Sequence, residues 1–298
     1  MSGLTDLHRH LDGSLRIRTL AELAGRANRT IPFDLRFFPG MGLQEALARF
    51  SFTLSVLQTP DAVERVAREI CEDALADGVE VLEIRFAPQL HHEQPPEAYV
   101  DAALAGVDGR AGIILCGLYG EDPAILQSHV DIAATRPGVV AIDLAGGPTP
   151  GHDFRLDDYS KPFERARDLG INRTVHASEG RAPHEIRTAI EVLHAQRIGH
   201  GTTLLDDPAV LDLVLSSGVT IEACPTSNWQ VGIIDTIGAH PIPRWLDAGV
   251  RVCINTDNTL LSDVSASEEY ARVGKIEGMT PDKLEAARRF GHEAAFRR

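Results

Sequence analysis

Two histidines stand one residue apart near the start of the chain, in the stretch LTDLHRHLDGSL (residues 4–15). Residues i and i+2 of a β-strand point to the same side, so His8 and His10 would share one face at the end of a short strand. Imidazole is the commonest metal ligand in proteins, and such a pair can hold one face of a metal ion. The pair alone is weak evidence, because two histidines can also fall at this spacing by chance.

Ionisable residues also end several other predicted strands. The stretch HASE (176–179) ends one strand, His200 lies within GHG, and Asp257 lies within NTDN. Each has an ordinary explanation, since His176 could be a hydrogen-bonded core residue, His200 a turn residue and Asp257 a helix cap. Together they are hard to explain by packing, because buried ionisable groups are costly unless they are paired or bound to a metal. The set therefore predicts a metal site.

The residue types suggest which metal and which chemistry. Imidazoles with one carboxylate suit Zn²⁺, whereas Ca²⁺ and Mg²⁺ need more oxygen ligands. A bound Zn²⁺ lowers the pKa of a bound water towards about 7 and so supplies a nucleophile for hydrolysis. Glu179, three residues beyond His176, would lie near the metal without being forced to bind it. A carboxyl group there with a raised pKa can donate a proton.

Eight strand candidates would position these residues. They are short, apolar and rich in β-branched residues, as is typical of parallel strands buried on both faces. Helical patterns alternate with them, and a clear example begins with Thr59 as N-cap and Pro60 at the first position, and ends at Gly78. The final stretch MTPDKLEAARRFGHEAAFRR predicts a C-terminal helix. The candidate strands are LTDLHRH, VEVLEIRFAP, GIILCGLY, GVVAIDLAG, NRTVHAS, QRIGHG, VTIEACP and VRVCINTD.

Eight alternating units in about 250 residues match the size of a (β/α)8 barrel, in which catalytic groups gather at the C-terminal ends of the strands. A doubly wound open sheet is the alternative, but no GxGxxG motif follows the first strand. No linker or repeat interrupts the chain. We therefore predict an α/β fold, a single TIM-barrel domain over residues 1–298, with its catalytic metal at the C-terminal strand ends.

Composition argues against several classes of partner. The net charge of −14 would repel the phosphates of nucleic acid, and 5 % aromatic residues offer little surface for base stacking. The N-terminus does not resemble a signal peptide, no apolar run approaches 18 residues, and nothing predicts a protein partner. Four cysteines without paired spacing are expected to be reduced core thiols, which predicts a cytoplasmic protein. These cysteines are Cys71, Cys116, Cys224 and Cys253.

Six motifs carry a resemblance to a known family. HRHLDGS, DLAG, HASE, IGHGTTL, CPTSN and INTDN occur in this order, and the similarity extends from residue 5 to about 296. In this respect the chain resembles the adenosine deaminases of the metal-dependent amidohydrolase superfamily. The resemblance implies that Glu179 protonates purine N1 and that His200 orients the attacking hydroxide. It implies four zinc ligands, namely His8, His10, His176 and Asp257.

The same resemblance implies contacts to the rest of the substrate. Asp12 matches the residue that meets a ribose hydroxyl, Gly146 the backbone contact to purine N3, and Asn258 the side chain that meets N7. It also bears on the number of metal ions, because in related barrel hydrolases a modified lysine at a middle strand often bridges two metals. None of the lysines falls at a predicted strand end, so we expect one Zn²⁺ per chain. The lysines are Lys161, Lys275 and Lys283.

The chain differs from the family pattern at a few positions. Ser178 stands where glycine is usual, Gly147 follows DLAG where many relatives have an acidic residue, and Asn258 replaces a second aspartate. An asparagine amide can still donate a hydrogen bond to N7. The segment between the first two strands is also short, and a shorter lid could admit a larger 5′ group. The substrate is therefore less firmly predicted than the reaction.

The leading prediction is zinc-dependent hydrolysis of adenosine or 2′-deoxyadenosine to inosine or deoxyinosine, with release of ammonia. The nearest alternative is a deaminase of a modified adenosine, such as 6-aminodeoxyfutalosine or another 5′-substituted nucleoside, or of adenine. A different class would be a non-catalytic protein that binds a nucleoside or a metal. The presence of both Glu179 and His200 argues against that class.

Overall fold

The strands form one parallel sheet that curves into a barrel. The computed structural model describes residues 3–147 and 153–296, and within them the sheet has eight strands in sequential order. All eight coincide with the strand candidates of the sequence. They are β1 (Leu4–His10), β2 (Val79–Phe86), β3 (Gly112–Leu118), β4 (Val139–Ala145), β5 (Asn172–Ala177), β6 (Arg197–His200), β7 (Thr220–Ala223) and β8 (Arg251–Ile254).

The chain just after β8 closes the barrel against β1. The backbone N–H of His10 donates to the carbonyl of Asp257 at 2.8 Å, and the N–H of Asp257 donates to the carbonyl of His8 at 2.9 Å. The side chain of Asn255 accepts a further bond, at 2.8 Å, from the N–H of Leu7. These bonds pair the edge of β1 that an open sheet would leave unpaired. The predicted (β/α)8 barrel is confirmed.

Helices follow the strands and surround the barrel. Thr59 caps α3 as predicted, since its Oγ1 accepts from the N–H of Ala62 at 3.2 Å, and Gly78 with φ +81° follows the helix end. No helix of the described residues is long and apolar enough to cross a membrane. The helices in this part of the chain are α1 (Ile17–Arg26), α2 (Leu43–Val56), α3 (Pro60–Ala76), α4 (Pro96–Val107), α5 (Pro123–Ala134), α6 (Ser160–Asp168), α7 (His184–Glu191), α8 (Pro208–Ser217), α9 (Pro225–Gln230), α10 (Ile242–Asp247), α11 (Ala266–Val273) and α12 (Pro281–Ala294).

Charged side chains fill the barrel interior from its lower end towards its mouth. Glu83 and Arg85 are two residues apart on β2, and both are buried with Arg197 of β6 and Glu222 of β7. Arg197 donates to both Glu83 and Glu222, and Arg85 donates to Glu222 at 2.9 Å. The intervening Ile84 belongs to the apolar layer between the strands and the helices. The alternation along β2 thus separates a charged interior from a hydrophobic exterior layer.

The segment between β1 and α3 covers the C-terminal mouth of the barrel. It carries α1 and α2, and the apolar side chains of α2 face the central cavity. Four of them line it: Leu43, Leu47, Phe50 and Leu54. The sequence analysis expected a lid here but did not predict α2.

Candidate active site

Four imidazole rings and one carboxylate meet at the C-terminal mouth of the barrel. The ring centroid of His8 lies 5.3 Å from that of His10 and 4.6 Å from that of His176. It lies 4.9 Å from the ring of His200. Asp257 Oδ1 is 3.8 Å from His8 Nε2 and 3.5 Å from His10 Nε2. The structure thus brings together the residues predicted to bind a metal and the predicted catalytic histidine.

Two buried carboxylates hold the far side of two imidazoles. Glu222 Oε2 lies 2.7 Å from His8 Nδ1, and Asp143 Oδ1 lies 3.2 Å from His176 Nδ1. Arg85 links the two carboxylates, at 2.8 Å from Asp143 and 2.9 Å from Glu222. Histidines that bind metals almost always use their second nitrogen in this way, which turns Nε2 towards the metal.

The donor atoms fit a bound metal ion. His8 Nε2 is buried and has no hydrogen-bond partner in the described part of the chain, which is costly unless a ligand takes that position. The ligand atoms of His8, His10 and Asp257 lie within 4.8 Å of one another, and so do those of His8, His176 and His200. Nitrogen donors with one carboxylate are a set that Zn²⁺ accepts.

One cysteine lies beside this cluster. Cys224 follows β7, and its sulfur lies within 4.8 Å of donor atoms of His200 and Asp257. Burial raises the pKa of its thiol well above the ordinary value, with the carboxylates of Asp257 and Glu222 adding to the effect. The sequence analysis assigned Cys224 to the core, where it lies.

Burial shifts the pKa values of Glu179 and His200, the two predicted catalytic residues beside the metal-binding cluster. Burial raises the pKa of the Glu179 carboxyl, although His176 and Arg181 oppose this effect. Burial, with the nearby His176 adding to it, lowers the pKa of the His200 imidazole to about 3. Glu179 Oε1 lies 3.7 Å from His200 Nδ1. Burial therefore disfavours the charged forms of both side chains.

Three residues of the site have a left-handed backbone. Ser178 has φ +56°, His200 φ +66° and Asp257 φ +62°. Residues other than glycine rarely adopt this backbone conformation, and such strain clusters at functional sites. Each residue lies at the end of its strand, where the chain must turn sharply towards the next helix. The turn keeps the His200 and Asp257 side chains at the mouth of the barrel.

Asp12, Gly146 and Asn258 line the same central cavity as the histidines. Asp12 Oδ1 is buried without a partner among the described residues, and burial raises the pKa of this carboxyl to about 7. Gly146 follows β4 with φ +72°. Asn258 Oδ1 lies 2.0 Å from where a Cβ of residue 13 would be, so only glycine fits in the motif HLDGS. The oxygen therefore packs against Gly13.

The cavity has a volume of about 350 Å³, within the usual range of small-molecule sites. Its floor is polar and carries His10, His176 and Glu179. Its walls are apolar and come mainly from α2, with Phe37, Leu118 and Val231 completing them. A planar ring with apolar faces and polar edges would fit this cavity, with its faces against the apolar walls and its edges at the polar floor.

Comparisons with known proteins agree with this geometry. A family model described as adenosine deaminase matches residues 4–298. The chain belongs to the adenosine deaminase family. An adenosine deaminase of Serratia proteamaculans is 35 % identical, with 98 % of this chain and 93 % of the relative covered. One of Erwinia tasmaniensis is 34 % identical over the same shares of the two chains.

Solved structures with the same fold include other deaminases. Adenine deaminase of Arthrobacter aurescens has a TM-score of 0.88 at 23 % identity, covering 100 % of this chain and 95 % of the other. A Burkholderia ambifaria amidohydrolase with bound Zn has a TM-score of 0.86 at 23 % identity, covering 99 % and 86 %. At these identities the likeness shows the fold alone.

Several residues behind this deaminase-family site were not assigned from the sequence. Glu222, Arg85 and Asp143 support the histidines, and Asn228 contacts His200 Nδ1 at 3.0 Å. A signal for two of them was present, because Glu222 interrupts the apolar strand VTIEACP and Arg85 interrupts VEVLEIRFAP. A charge inside a buried strand needs a buried partner. The partner itself could not be identified, since it comes from a distant strand.

Proposed function

We propose that this protein hydrolyses adenosine and 2′-deoxyadenosine to inosine and deoxyinosine, with release of ammonia. The observation that carries the proposal is the buried, unpaired Nε2 of His8 inside a cluster of imidazoles and one carboxylate. Next to this cluster, burial favours the protonated form of Glu179. A metal-binding set beside a proton donor is what hydrolytic deamination of an aromatic amine requires.

The proposed cofactor is one Zn²⁺ per chain, held by His8, His10, His176 and Asp257. When bound, Zn²⁺ lowers the pKa of water towards about 7 and so supplies a nucleophile at neutral pH. Glu222 and Asp143 would orient two of these ligands through their Nδ1 atoms. In the described part of the chain, Lys161, Lys275 and Lys283 all lie outside the strands, which supports a single metal rather than a bridged pair.

The reaction needs proton transfers both to and from the substrate. The oxygen of the attacking water forms a bond to C6 of the purine, and Asp257 takes the proton that this water loses. Glu179 donates its proton to N1, so that the ring does not accumulate negative charge as its aromaticity breaks. Asp257 then passes the proton it took from water to the amino nitrogen, the bond from C6 to that nitrogen breaks, and ammonia leaves. The C6 hydroxyl returns its proton to Glu179 as the carbonyl of inosine forms.

The remaining predicted residues would hold the substrate. Asp12 would meet a ribose hydroxyl, the backbone N–H of Gly146 would donate to N3, and the amide of Asn258 would donate to N7. The packing of Asn258 Oδ1 against Gly13 supports this last role, because it leaves the amide nitrogen for the cavity. His200 would donate a hydrogen bond to the attacking oxygen.

The proposal also includes the domain organisation, the binding partner and the cellular location of the enzyme. We propose that residues 1–298 act as one catalytic domain, because residues from several strands and from α2 line one cavity. The partner is a small-molecule purine nucleoside, and the net charge of −14 supports neither nucleic acid nor an anionic membrane surface as a ligand. The working location we propose is the cytoplasm.

The test is ammonia release by the purified, zinc-loaded protein. The panel would contain adenosine, 2′-deoxyadenosine, adenine, methylthioadenosine and 6-aminodeoxyfutalosine at equal concentrations. The expected result is the highest kcat/KM with adenosine or deoxyadenosine. A higher value with a 5′-modified nucleoside or adenine would replace the substrate and keep the chemistry. No ammonia from any aminopurine, with zinc bound, would overturn the proposal.

A further inference from the structure

We propose that Asn228 and His240 are positioning residues that keep the ring proton of His200 on Nε2, facing the cavity. This inference rests on the proposed function, because the catalytic effect of the Nε2 proton is measured on the deamination reaction. It concerns a chain of hydrogen bonds behind the site that runs from a backbone amide to the His200 ring.

The chain of hydrogen bonds begins at a backbone N–H, which can act only as a donor. The backbone N–H of Ile242, at the start of α10, donates to His240 Nδ1 at 3.3 Å. A backbone N–H can only donate, so His240 Nδ1 must accept and carries no proton. Burial lowers the pKa of the His240 imidazole to about 3, so the ring is neutral. Its one proton is therefore on Nε2.

The side chain of Asn228, in α9, connects His240 to His200 and fixes which nitrogen of His200 accepts a hydrogen bond. His240 Nε2 lies 3.4 Å from Asn228 Oδ1, and with its proton in place it donates to that oxygen. The amide nitrogen of Asn228 must then point the other way. It lies 3.0 Å from His200 Nδ1, and an amide nitrogen can only donate. His200 Nδ1 is thus an acceptor, which puts the ring proton on Nε2.

The surroundings keep this chain intact. Asn228 is fully buried, His240 is 2 % exposed and His200 is 1 % exposed, so solvent does not compete for these bonds. The ring of Trp245 packs edge-on against His240 with centroids 5.3 Å apart. Asn228 lies in α9, directly after the strand end that carries Cys224. The amide and both rings are therefore held in place by packing as well as by hydrogen bonds.

The consequence is a fixed hydrogen-bond donor at the reaction centre. His200 lines the cavity, and its Nε2–H would donate to the oxygen that attacks C6 and that carries charge in the transition state. Removing one such donor from an enzyme typically costs about 10²–10³-fold in kcat. The opposite tautomer would present a lone pair to that oxygen and repel it. Asn228 and His240 touch no substrate, so they act only through His200.

The direct test reads the tautomer by ¹⁵N NMR of histidine-labelled protein, with and without zinc. The His200 signals can be assigned by comparison with the His200→Gln protein, since the chain has only 12 histidines. The expected result is a protonated Nε2 and an unprotonated Nδ1 for both His200 and His240. A proton on His200 Nδ1 in the wild-type protein would overturn the inference, whatever the activity.

Matched variants test the effect on catalysis. Asn228→Asp keeps the size but offers only acceptors, so the His200 proton should move to Nδ1 and kcat should fall about 10²–10³-fold. We expect KM to change less than about threefold, because no substrate contact is lost. His240→Gln can still accept from Ile242 and donate to Asn228, so it should retain the wild-type tautomer and kcat within about fivefold.

A purely structural role gives a different pattern. Asn228→Leu has similar size and no hydrogen bond, so it should damage kcat less than Asn228→Asp if tautomer control is the function. Equal losses in both variants, with the tautomer unchanged and zinc retained, would overturn the inference. Failure of the wild-type enzyme to deaminate any aminopurine would instead overturn the proposed function, while the NMR result would still stand.

Discussion

The two ends of the barrel both bury charged side chains, but they pair them differently. At the lower end, Arg197 donates to Glu83 and Glu222, and the N–H of Phe296 donates to Glu83 at 2.6 Å. At the upper end, His8 Nε2 and Asp12 Oδ1 are buried without a partner among the described residues. Unpaired buried polar atoms are costly, and these two lie at the mouth of the barrel, where a ligand would take both positions. Arg197 and Glu83 at the lower end stabilise the fold, Glu222 connects this pair to His8, and the upper end is arranged for chemistry.

Glu179→Gln should separate chemistry from folding at the upper end. The amide cannot give up a proton to N1, so kcat should fall by about 10²–10⁴-fold while the metal content stays at the wild-type level. Steady-state kinetics and metal analysis would measure both. Glu97→Gln, on the exposed face of α4, is the control and should leave kcat unchanged. Turnover near the wild-type rate in Glu179→Gln would show that another group protonates the ring.

Arg197→Met should show that the lower end stabilises the fold. Removing this cation leaves Glu83 buried without its ion-pair partner, while Glu222 keeps Arg85, and the free energy of unfolding should fall by about 3–5 kcal/mol. Urea unfolding of the zinc-free proteins would measure the change. Arg251→Met breaks the exposed pair with Glu293 and should cost at most about 1 kcal/mol. Equal costs for the two variants would contradict the difference between the ends.

Glu269 is a buried carboxylate whose hydrogen-bond donors are neutral groups, so the stability of the protein should depend on pH through its titration. Thr226 donates to it from both its N–H, at 2.8 Å, and its hydroxyl, and burial raises its pKa to about 7. Because this value lies above that of the unfolded chain, ionisation of Glu269 opposes folding. Its contribution to stability should therefore decrease as pH rises from about 4.5 to about 7.

The variant Glu269→Gln removes that titration. The difference in unfolding free energy, variant minus wild type, should increase by about 3 kcal/mol between pH 4 and pH 8. Chemical unfolding at a series of pH values would measure it. A difference that stays constant over this range would mean that Glu269 does not titrate there.

Asp12→Ala gives the smallest expected effect and tests the ligand side of the upper end. Loss of one hydrogen bond to a ribose hydroxyl should raise KM for adenosine about tenfold. The KM for adenine, which has no ribose, should not change. Parallel kinetics with both compounds would measure the ratio, and an equal effect on both would remove Asp12 from the ribose contact.

The strands and the cluster at the upper end could be predicted because they depend on local patterns. Short apolar strands ending in His8, His176 or Asp257 are visible in the sequence, and the barrel then brings their ends together. The partners at the lower end could not be predicted, because Arg197 meets Glu83 only across the barrel. Helix α2 was missed although its cavity-lining residues Leu43, Leu47, Phe50 and Leu54 recur at helical spacing.

The closure of the barrel also bears on how the protein is made. Asp257 joins β8 to β1 through its own backbone N–H and carbonyl, on either side of the carboxylate that completes the metal-binding cluster. A nascent chain that has not yet emerged beyond residue 254 contains His8, His10 and His176 but lacks both the closing bonds and the carboxylate of the cluster. Closure of the barrel and completion of this cluster therefore both wait for the synthesis of Asp257.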